Sequence, residues 1–379
     1  MKILHVGMGW FGEEIGGLSR VVSQAVRAQA DAGHDARALV TGTDSVQQLS
    51  GGLAKAFSPS DAFIPLRLLR ARRAVARALR DMVPDVVSFH FALYGRPSLD
   101  LVRHRVPWVV HFHGPWAMEG LAEGASHLGN SLKKRFVEEP MYRDAPRVIT
   151  LSRSFAEILV EHYGVRPDRI RVVPGGFDPG QFLAAPDRAT ARLRFHFPPD
   201  RRLAVCVRRL QSRMGLENLL EAVSILRAKH PDLLVAVAGR GPLAPILRER
   251  VEKDGLGDHV LLMGFVADTD LPAFYAAADF SIVPTVALEG FGLIVAESLA
   301  SGTPVVASRV GALPELLSDF SPQLLAEPTA KGLAEVLDGV LSGNRPLPDA
   351  VACRDHMERW SWSRVVPRLQ EVYREAGAK

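Results

Sequence analysis

Short apolar runs punctuate this chain at intervals, and between them the apolar positions recur at helical spacing. Lys2 to Val6, Ala36 to Val40, Val86 to Phe89, Trp108 to Phe112 and Val148 to Thr150 read as strands alternating with helices. That rhythm predicts a βα domain with a mostly parallel sheet. After the strand Ile170 to Val173, the stretch Pro174-Gly175-Gly176-Phe177-Asp178-Pro179-Gly180 is dense in turn formers and reads as an interdomain hinge. The alternation then restarts with strand Leu203 to Val207, helix Leu216 to Lys229, strand Leu233 to Ala238, helix Leu243 to Asp254 and strand Val260 to Leu262. The second half therefore repeats the architecture of the first.

The most informative stretch lies late in that second half. Apolar Phe280 to Pro284 leads into Glu289-Gly290-Phe291-Gly292-Leu293-Ile294-Val295-Ala296-Glu297, and Ser301-Gly302-Thr303-Pro304 stops a helix before strand Val305-Val306. Two glycines permit close backbone approach to a ligand, and a helix opening at Gly292 or Leu293 offers free N–H groups to an anion such as phosphate. Glu297, about one turn inside that helix, could accept hydrogen bonds from a ribose diol. The plainer reading is that Glu289 caps the helix and Glu297 is a solvated helix residue.

Composition narrows the class. A chain of 379 residues, 47% hydrophobic, can bury more than one core, which favours two domains. Cys206 and Cys353 are the only cysteines, too few for a disulfide framework, and the start Met1-Lys2-Ile3-Leu4-His5 lacks the apolar region of a secretion signal. The expectation is a cytoplasmic protein. No run of about 18 apolar residues exists to span a membrane. A net charge of +4, with clustered basic groups and no nucleic-acid motif, favours an anionic ligand or lipid surface over a nucleic-acid partner.

Four further stretches carry candidate chemistry. Gly7-Met8-Gly9-Trp10-Phe11-Gly12 is literally G-x-G-x-x-G, but Glu13 and Glu14 fall where a pyrophosphate would lie, and strand Ala36 to Val40 ends in Thr41 without an acid at its tip. The loop reads better as a longer glycine-rich turn through Gly16-Gly17 before a helix from about Ser19 to Ala32. From Pro65 to Val83 an apolar stripe of Leu68, Leu69, Val75, Ala76, Leu79 and Val83 opposes a basic one of Arg67, Arg70, Arg73, Arg77 and Arg80. That face is either solvated or meets an anionic membrane or an acidic acceptor, and the second alternative adds peripheral contact with the inner face of the membrane. His111-Phe112-His113-Gly114 closes a strand at the end where open α/β sheets bind ligands, and with no Cys, Asp or Glu at ligand spacing a metal site is not expected. Arg208-Arg209-Leu210-Gln211-Ser212-Arg213-Met214-Gly215 puts three cations in a strand-to-helix loop, where guanidinium groups could grip a diphosphate.

Two acids eight positions apart around Gly290-Phe291-Gly292 resemble the E-x7-E region of retaining GT-B glycosyltransferases of family 4, and the likeness extends along nearly the whole chain. The resemblance implies an α/β fold of two facing Rossmann-like domains (GT-B) with a central cleft. Residues 1–174 would form an acceptor domain, onto which a C-terminal helix, 362–379, packs back, and 175–361 a nucleotide-sugar donor domain. It implies transfer of a sugar from a nucleoside diphosphate sugar to an acceptor, with no metal and no cofactor. His113 and Glu289 would contact the donor sugar. Gly16, Gly17, Arg208, Arg209, Arg213, Phe265, Phe291, Gly292, Leu293 and Glu297 would bind the rest of the donor. The sequence departs from the family at Met214, which stands where a phosphate-binding lysine is usual, so Arg213 or Arg208 would have to substitute. That departure motivates an alternative, a non-catalytic nucleotide-sugar or glycan binding protein of the same fold.

Overall fold

The computed structural model describes residues 1–14 and 16–377; Ala378 and Lys379, the last of the range expected for the C-terminal helix, lie outside the described residues. The chain forms two compact units, Met1–Phe177 joined by the stretch from Trp360 onward, and Asp178–Arg359.

The first unit holds strands β1 (Lys2–Val6), β2 (Asp35–Thr41), β3 (Ala54–Ser58), β4 (Val86–Phe89), β5 (Trp108–Phe112), β6 (Arg147–Thr150) and β7 (Ile170–Val172). They pair in the order β3-β2-β1-β4-β5-β6-β7, every pair parallel. Successive strand residues face opposite sides of a sheet, which is why adjacent apolar residues feed two separate cores. Leu4, Val87, Val110 and Val148 join one core, with Val75 of the helix Ile64–Asp81 and Phe155 and Leu159 of the helix Arg153–Tyr163. Their neighbours Ile3, Val86, Val109 and Ile149 face Val365, Leu369, Val372 and Tyr373 of the helix Trp362–Gly377. Glu375 fastens that helix by pairing with Arg147 at 2.8 Å and Arg171 at 2.6 Å.

Three local expectations are corrected here. The first helix opens at Gly17, with Gly16 as its cap, two residues before Ser19; Ser19 is a buried helical residue whose carbonyl accepts from the Ser23 hydroxyl. Arg67 is not part of an exposed basic face: it is half-buried and donates to the Ser60 carbonyl at 2.7 Å and to the Tyr94 hydroxyl at 3.0 Å. On the same segment Leu69 and Val83 are exposed, and Ala71 and Val75 are the residues sealed against the sheet.

The second unit holds β8 (Arg202–Val207), β9 (Leu233–Ala238), β10 (Val260–Gly264), β11 (Phe280–Val283), β12 (Val305–Ser308) and β13 (Leu325–Ala326). Their order is β10-β9-β8-β11-β12-β13, again parallel throughout. Leu216, Leu219, Leu220 and Val223 of the helix Leu216–Leu226 pack with Leu333 and Leu337 of the helix Ala330–Leu341 over this sheet. In both sheets the strand order reverses once, between β1 and β4 and between β8 and β11. Open α/β sheets bind ligands outside the carboxyl ends of the strands at such a reversal. Among the described residues no helix is long and apolar enough to cross a membrane.

Candidate active site

In the second unit the reversal point is built from the loops after β8 and β11. Arg208, the first residue beyond β8, is buried, and its Nη2 donates to the Thr285 hydroxyl and, at 2.8 Å, to Glu289 Oε2. The other Glu289 oxygen accepts from the Gly292 backbone N–H at 3.1 Å. Glu289 therefore does what the plainer sequence reading gave it, bracing the start of the helix Leu293–Ala300, while an ion pair holds its second oxygen. Both oxygens keep lone pairs beyond these bonds, so an oriented carboxylate can still accept from a sugar hydroxyl.

The backbone around Glu289 is held as tightly. Leu288 has φ of 57°, a left-handed conformation uncommon for a leucine, and its carbonyl accepts from Arg213 Nη1 at 3.1 Å. Gly311 runs against the same segment: a Cβ there would lie 2.2 Å from the Glu289 carbonyl oxygen, and the Ala312 N–H donates to that oxygen at 3.0 Å. Arg213 is thus buried and occupied with the loop, and Met214 beside it is buried too. Arg209 is exposed at the end of β8.

Gly292 is the left-handed cap of the helix, with φ of 86°, and Phe291 before it is buried. The first N–H groups of any helix lack intrahelical acceptors, so the amides of Leu293 and Ile294 are open to an anion, while those of Val295 and Ala296 donate to the Gly292 carbonyl at 2.9 and 3.3 Å. Inside that helix Glu297 is 5% exposed and accepts from the Tyr275 hydroxyl at 3.2 Å, which replaces the picture of a solvated helix residue with that of a held carboxylate. Burial, reinforced by this carboxylate, raises the Tyr275 phenol well above its ordinary range and keeps it protonated as the donor. At the ends of β9 and β10 the Arg240 guanidinium lies 4.8 Å over the ring of the exposed Phe265. Thr285 was not singled out from sequence; its place is set only by Arg208, which lies in another loop.

In the first unit, at its own reversal point, four histidines meet. His90 follows β4, and His5, His111 and His113 belong to β1 and to the end of β5. Three of the rings lie nearly parallel, His90 and His111 at 4.1 Å and 19°, His90 and His113 at 5.3 Å and 20°, His111 and His113 at 5.5 Å and 8°, while His5 is tilted 32° to His90. Burial drives the cluster towards its neutral forms, lowering His5 and His113 to about 4, and His90 and His111 well below the usual imidazole range. His90, His111 and His113 can bring one ring nitrogen each within 4.8 Å of one another, so this is where a metal would be sought. Imidazole binds a metal in its ring plane, and stacked parallel rings do not aim their lone pairs at one point, so an ion would require the rings to turn. Sequence spacing paired only His111 with His113; His90 comes from another strand, and no local pattern announces it.

The helix Trp116–Ala122, which follows His113, is tied down in its first turn. Buried Glu138 accepts from the Ala117 N–H at 3.1 Å and from the Tyr163 hydroxyl at 3.2 Å, and burial raises its carboxyl to about 7. At the older glycine motif, a Cβ on Gly9 would lie 1.6 Å from Glu14 Oε2, so an acid fills the place a dinucleotide pyrophosphate would need. Gly16 and Gly17 stand at the opening of the helix Gly17–Asp31, and a Cβ on Gly16 would meet nothing within 4 Å.

Two parallel α/β sheets, each with helix-start and strand-end chemistry at its reversal point, fit a class of nucleotide-sugar enzymes without by themselves defining it. The chain belongs to the glycosyltransferases of that class: residues 187–356 match the model for glycosyl transferases group 1, and residues 15–181 that for glycosyltransferase family 4. It is a GT-B-type glycosyltransferase that uses a nucleotide-sugar donor, and the non-catalytic alternative gives way to the enzymatic one.

Among its relatives, the D-inositol 3-phosphate glycosyltransferase of Acidothermus cellulolyticus is 31% identical over 97% of this chain and 87% of its own length. That of Stackebrandtia nassauensis is 29% identical over 96% and 87%. Among solved structures, sucrose-phosphate synthase from Thermosynechococcus elongatus superposes with a TM-score of 0.78 at 22% identity, over 99% of both chains. Anabaena HepE in complex with UDP gives 0.74 at 19% identity, over 98% of this chain and 99% of that one.

Proposed function

We propose that the protein is a retaining, metal-independent glycosyltransferase whose donor is held by Arg209, Phe265, the Phe291-Gly292-Leu293 turn, Glu289 and Glu297, with His113 at the donor sugar. One observation carries this reading: Glu289 has one oxygen on Gly292 N–H and the other on Arg208, at the strand-order reversal and the start of a helix. An oriented carboxylate beside a helix start with open amides supports a site for a sugar next to a phosphate. Arg208 and Arg213, offered from sequence as diphosphate ligands, serve the donor indirectly by holding Glu289 and the Leu288 carbonyl. Direct charge neutralisation falls to Arg209 and the helix amides. As the bond from the anomeric carbon to the diphosphate oxygen breaks and the acceptor oxygen replaces it, negative charge grows on the diphosphate, and pre-set donors there favour the transition state.

The exposed Arg70, Arg73, Arg77 and Arg80, with the exposed Phe63, Ile64, Leu66 and Leu69 at the start of the same helix, support peripheral contact with an anionic membrane at its cytoplasmic face. The acceptor to test first is D-inositol 3-phosphate, which the relatives' names carry. The experiment is a panel of UDP-, GDP- and ADP-sugars, scored for transfer to that acceptor, for slow donor hydrolysis and for anomeric configuration by proton NMR. Failure to bind or turn over any donor would sink the donor site, and an inverted product would sink the retaining reading.

A further inference from the structure

His113 does not stand alone at the end of β5. Its Nε2 lies 3.1 Å from His90 Nδ1, and His90 Nε2 lies 2.9 Å from His5 Nδ1. The three imidazoles form one continuous chain from the core of the first sheet to its carboxyl edge. His5 and His90 are buried, and His113 is partly exposed.

A neutral imidazole carries one N–H and one bare nitrogen. His90 makes a ring-to-ring bond at each nitrogen, so it donates at one and accepts at the other; the Ser88 hydroxyl, 3.5 Å from His90 Nε2, can turn to suit either role. The direction of donation must then be the same along the whole chain. If it runs inward, His113 donates from Nε2 and presents a bare Nδ1 to a ligand. If it runs outward, His5 donates to His90, His90 donates to His113, and His113 presents Nδ1–H. Mixed arrangements would set two N–H groups, or two lone pairs, face to face. The stacking of His111 on His90 at 4.1 Å adds a second restraint on the His90 ring plane.

We propose that His90 is a positioning residue for His113, and that the chain His5, His90, His113 fixes the ring orientation and the single tautomer that His113 presents at the end of β5. The proposal rests on the reading that His113 meets the donor sugar. A sugar hydroxyl can donate or accept, so either direction of the chain suits it. What the chain removes is the freedom of the ring to flip, or to change tautomer without His90 and His5 changing with it, either of which would misplace the one group the sugar is meant to meet.

The test uses the full-length protein with 15N-labelled histidine and three substitutions at one position. An asparagine amide reaches about as far as histidine Nδ1, and a glutamine amide about as far as Nε2. His90→Asn should therefore keep the bond to His113, His90→Gln should lose it, and His90→Phe should lose both bonds while preserving ring volume. Ring 15N shifts of His113 should show one protonated and one bare nitrogen between pH 6 and 8 in the wild type and in His90→Asn. They should move towards a common average in His90→Phe and His90→Gln. With whichever of UDP-, GDP- or ADP-glucose the wild type hydrolyses, kcat/KM should fall roughly 10- to 100-fold in those two variants and recover in His90→Asn.

Averaged His113 nitrogens in the wild type, or Asn and Gln variants that cannot be told apart, would overturn the proposal; the wild-type spectrum decides even if His90→Phe fails to fold. His113→Ala separates this outcome from the reading beneath it. If that variant hydrolyses donor normally, His113 does not meet the sugar, whatever the spectra show. If it is inactive while His90→Phe leaves shifts and kinetics unchanged, the positioning role alone is refuted.

Discussion

Removing the Arg208 side chain should expose how much of the second unit depends on one ion pair. The Arg208 and Glu289 side chains are 7% and 14% exposed, so their attraction is little screened, and Arg208 also serves the Thr285 hydroxyl. Arg208→Leu leaves Glu289 buried with one remaining partner, the Gly292 N–H. Breaking a buried pair by deleting one partner costs about 3–5 kcal/mol, and the retained amide bond argues for the lower end, about 3 kcal/mol. In a unit of this size that is a fall in melting temperature of roughly 6–12 °C. Glu289→Gln keeps an acceptor for Gly292 and removes the charge, so the double variant Arg208→Leu/Glu289→Gln should be more stable than the sum of the single losses by about 1–3 kcal/mol. All five tryptophans, Trp10, Trp108, Trp116, Trp360 and Trp362, belong to the first unit. Urea unfolding should therefore be followed by far-ultraviolet circular dichroism as well as by fluorescence. The dichroism should carry the change. Strictly additive single variants, or a loss below about 1 kcal/mol for Arg208→Leu, would refute the pairing argument.

Arg209→Ala should lower turnover roughly 10²- to 10³-fold with little effect on donor binding, as expected for one lost donor to developing charge; equal loss in kcat and in affinity would remove Arg209 from the diphosphate. Arg213→Ala should lower the melting temperature more than turnover, because Nη1 holds the Leu288 carbonyl; unchanged melting with a large rate loss would return it to the phosphate. Stability should fall as pH drops from about 6.5 towards 4, because His5, His90, His111 and His113 are native only in neutral form and the unfolded chain takes up protons first. Glu138 acts with the opposite sign, since its raised native value of about 7 favours the folded state below that pH, at up to about 1.4 kcal/mol per pH unit. Glu138→Gln should steepen the loss of stability as pH falls from about 6.5 to 4.5, as measured by urea unfolding, because it removes the opposing contribution that this carboxyl makes between its ordinary value of 4.5 and about 7. Vesicles rich in anionic lipid should sediment the protein at low salt, and Arg70→Glu/Arg73→Glu/Arg77→Glu should abolish it; sedimentation unchanged by the charge reversal would leave the helix Ile64–Asp81 merely solvated.

The alternation of apolar runs determined the two α/β halves, because a strand buried on both faces must be apolar along its length and a helix packed on a sheet needs only one stripe. Lys2–Val6, Val86–Phe89, Trp108–Phe112 and Leu233–Ala238 were readable to the residue for that reason. Strand β3, Ala54–Ser58, escaped because an edge strand mixes polar residues into its run. The Glu289 to Glu297 region was legible as a ligand loop from its glycines and acids, since that chemistry is local. What tertiary structure alone decided was the state of each charged group. Arg208, Arg209 and Arg213 look alike in one loop, yet one is paired with Glu289, one is exposed and one grips the Leu288 carbonyl. The partners that separate them sit some 75 positions away in sequence, brought close only because β8 and β11 are neighbours in the sheet. His90 reaches His113 and His5 by the same means, through strands β4, β5 and β1 lying side by side. Hydrogen bonding and burial depend on which strands are adjacent, and adjacency is a property of the folded sheet that no single stretch of sequence carries.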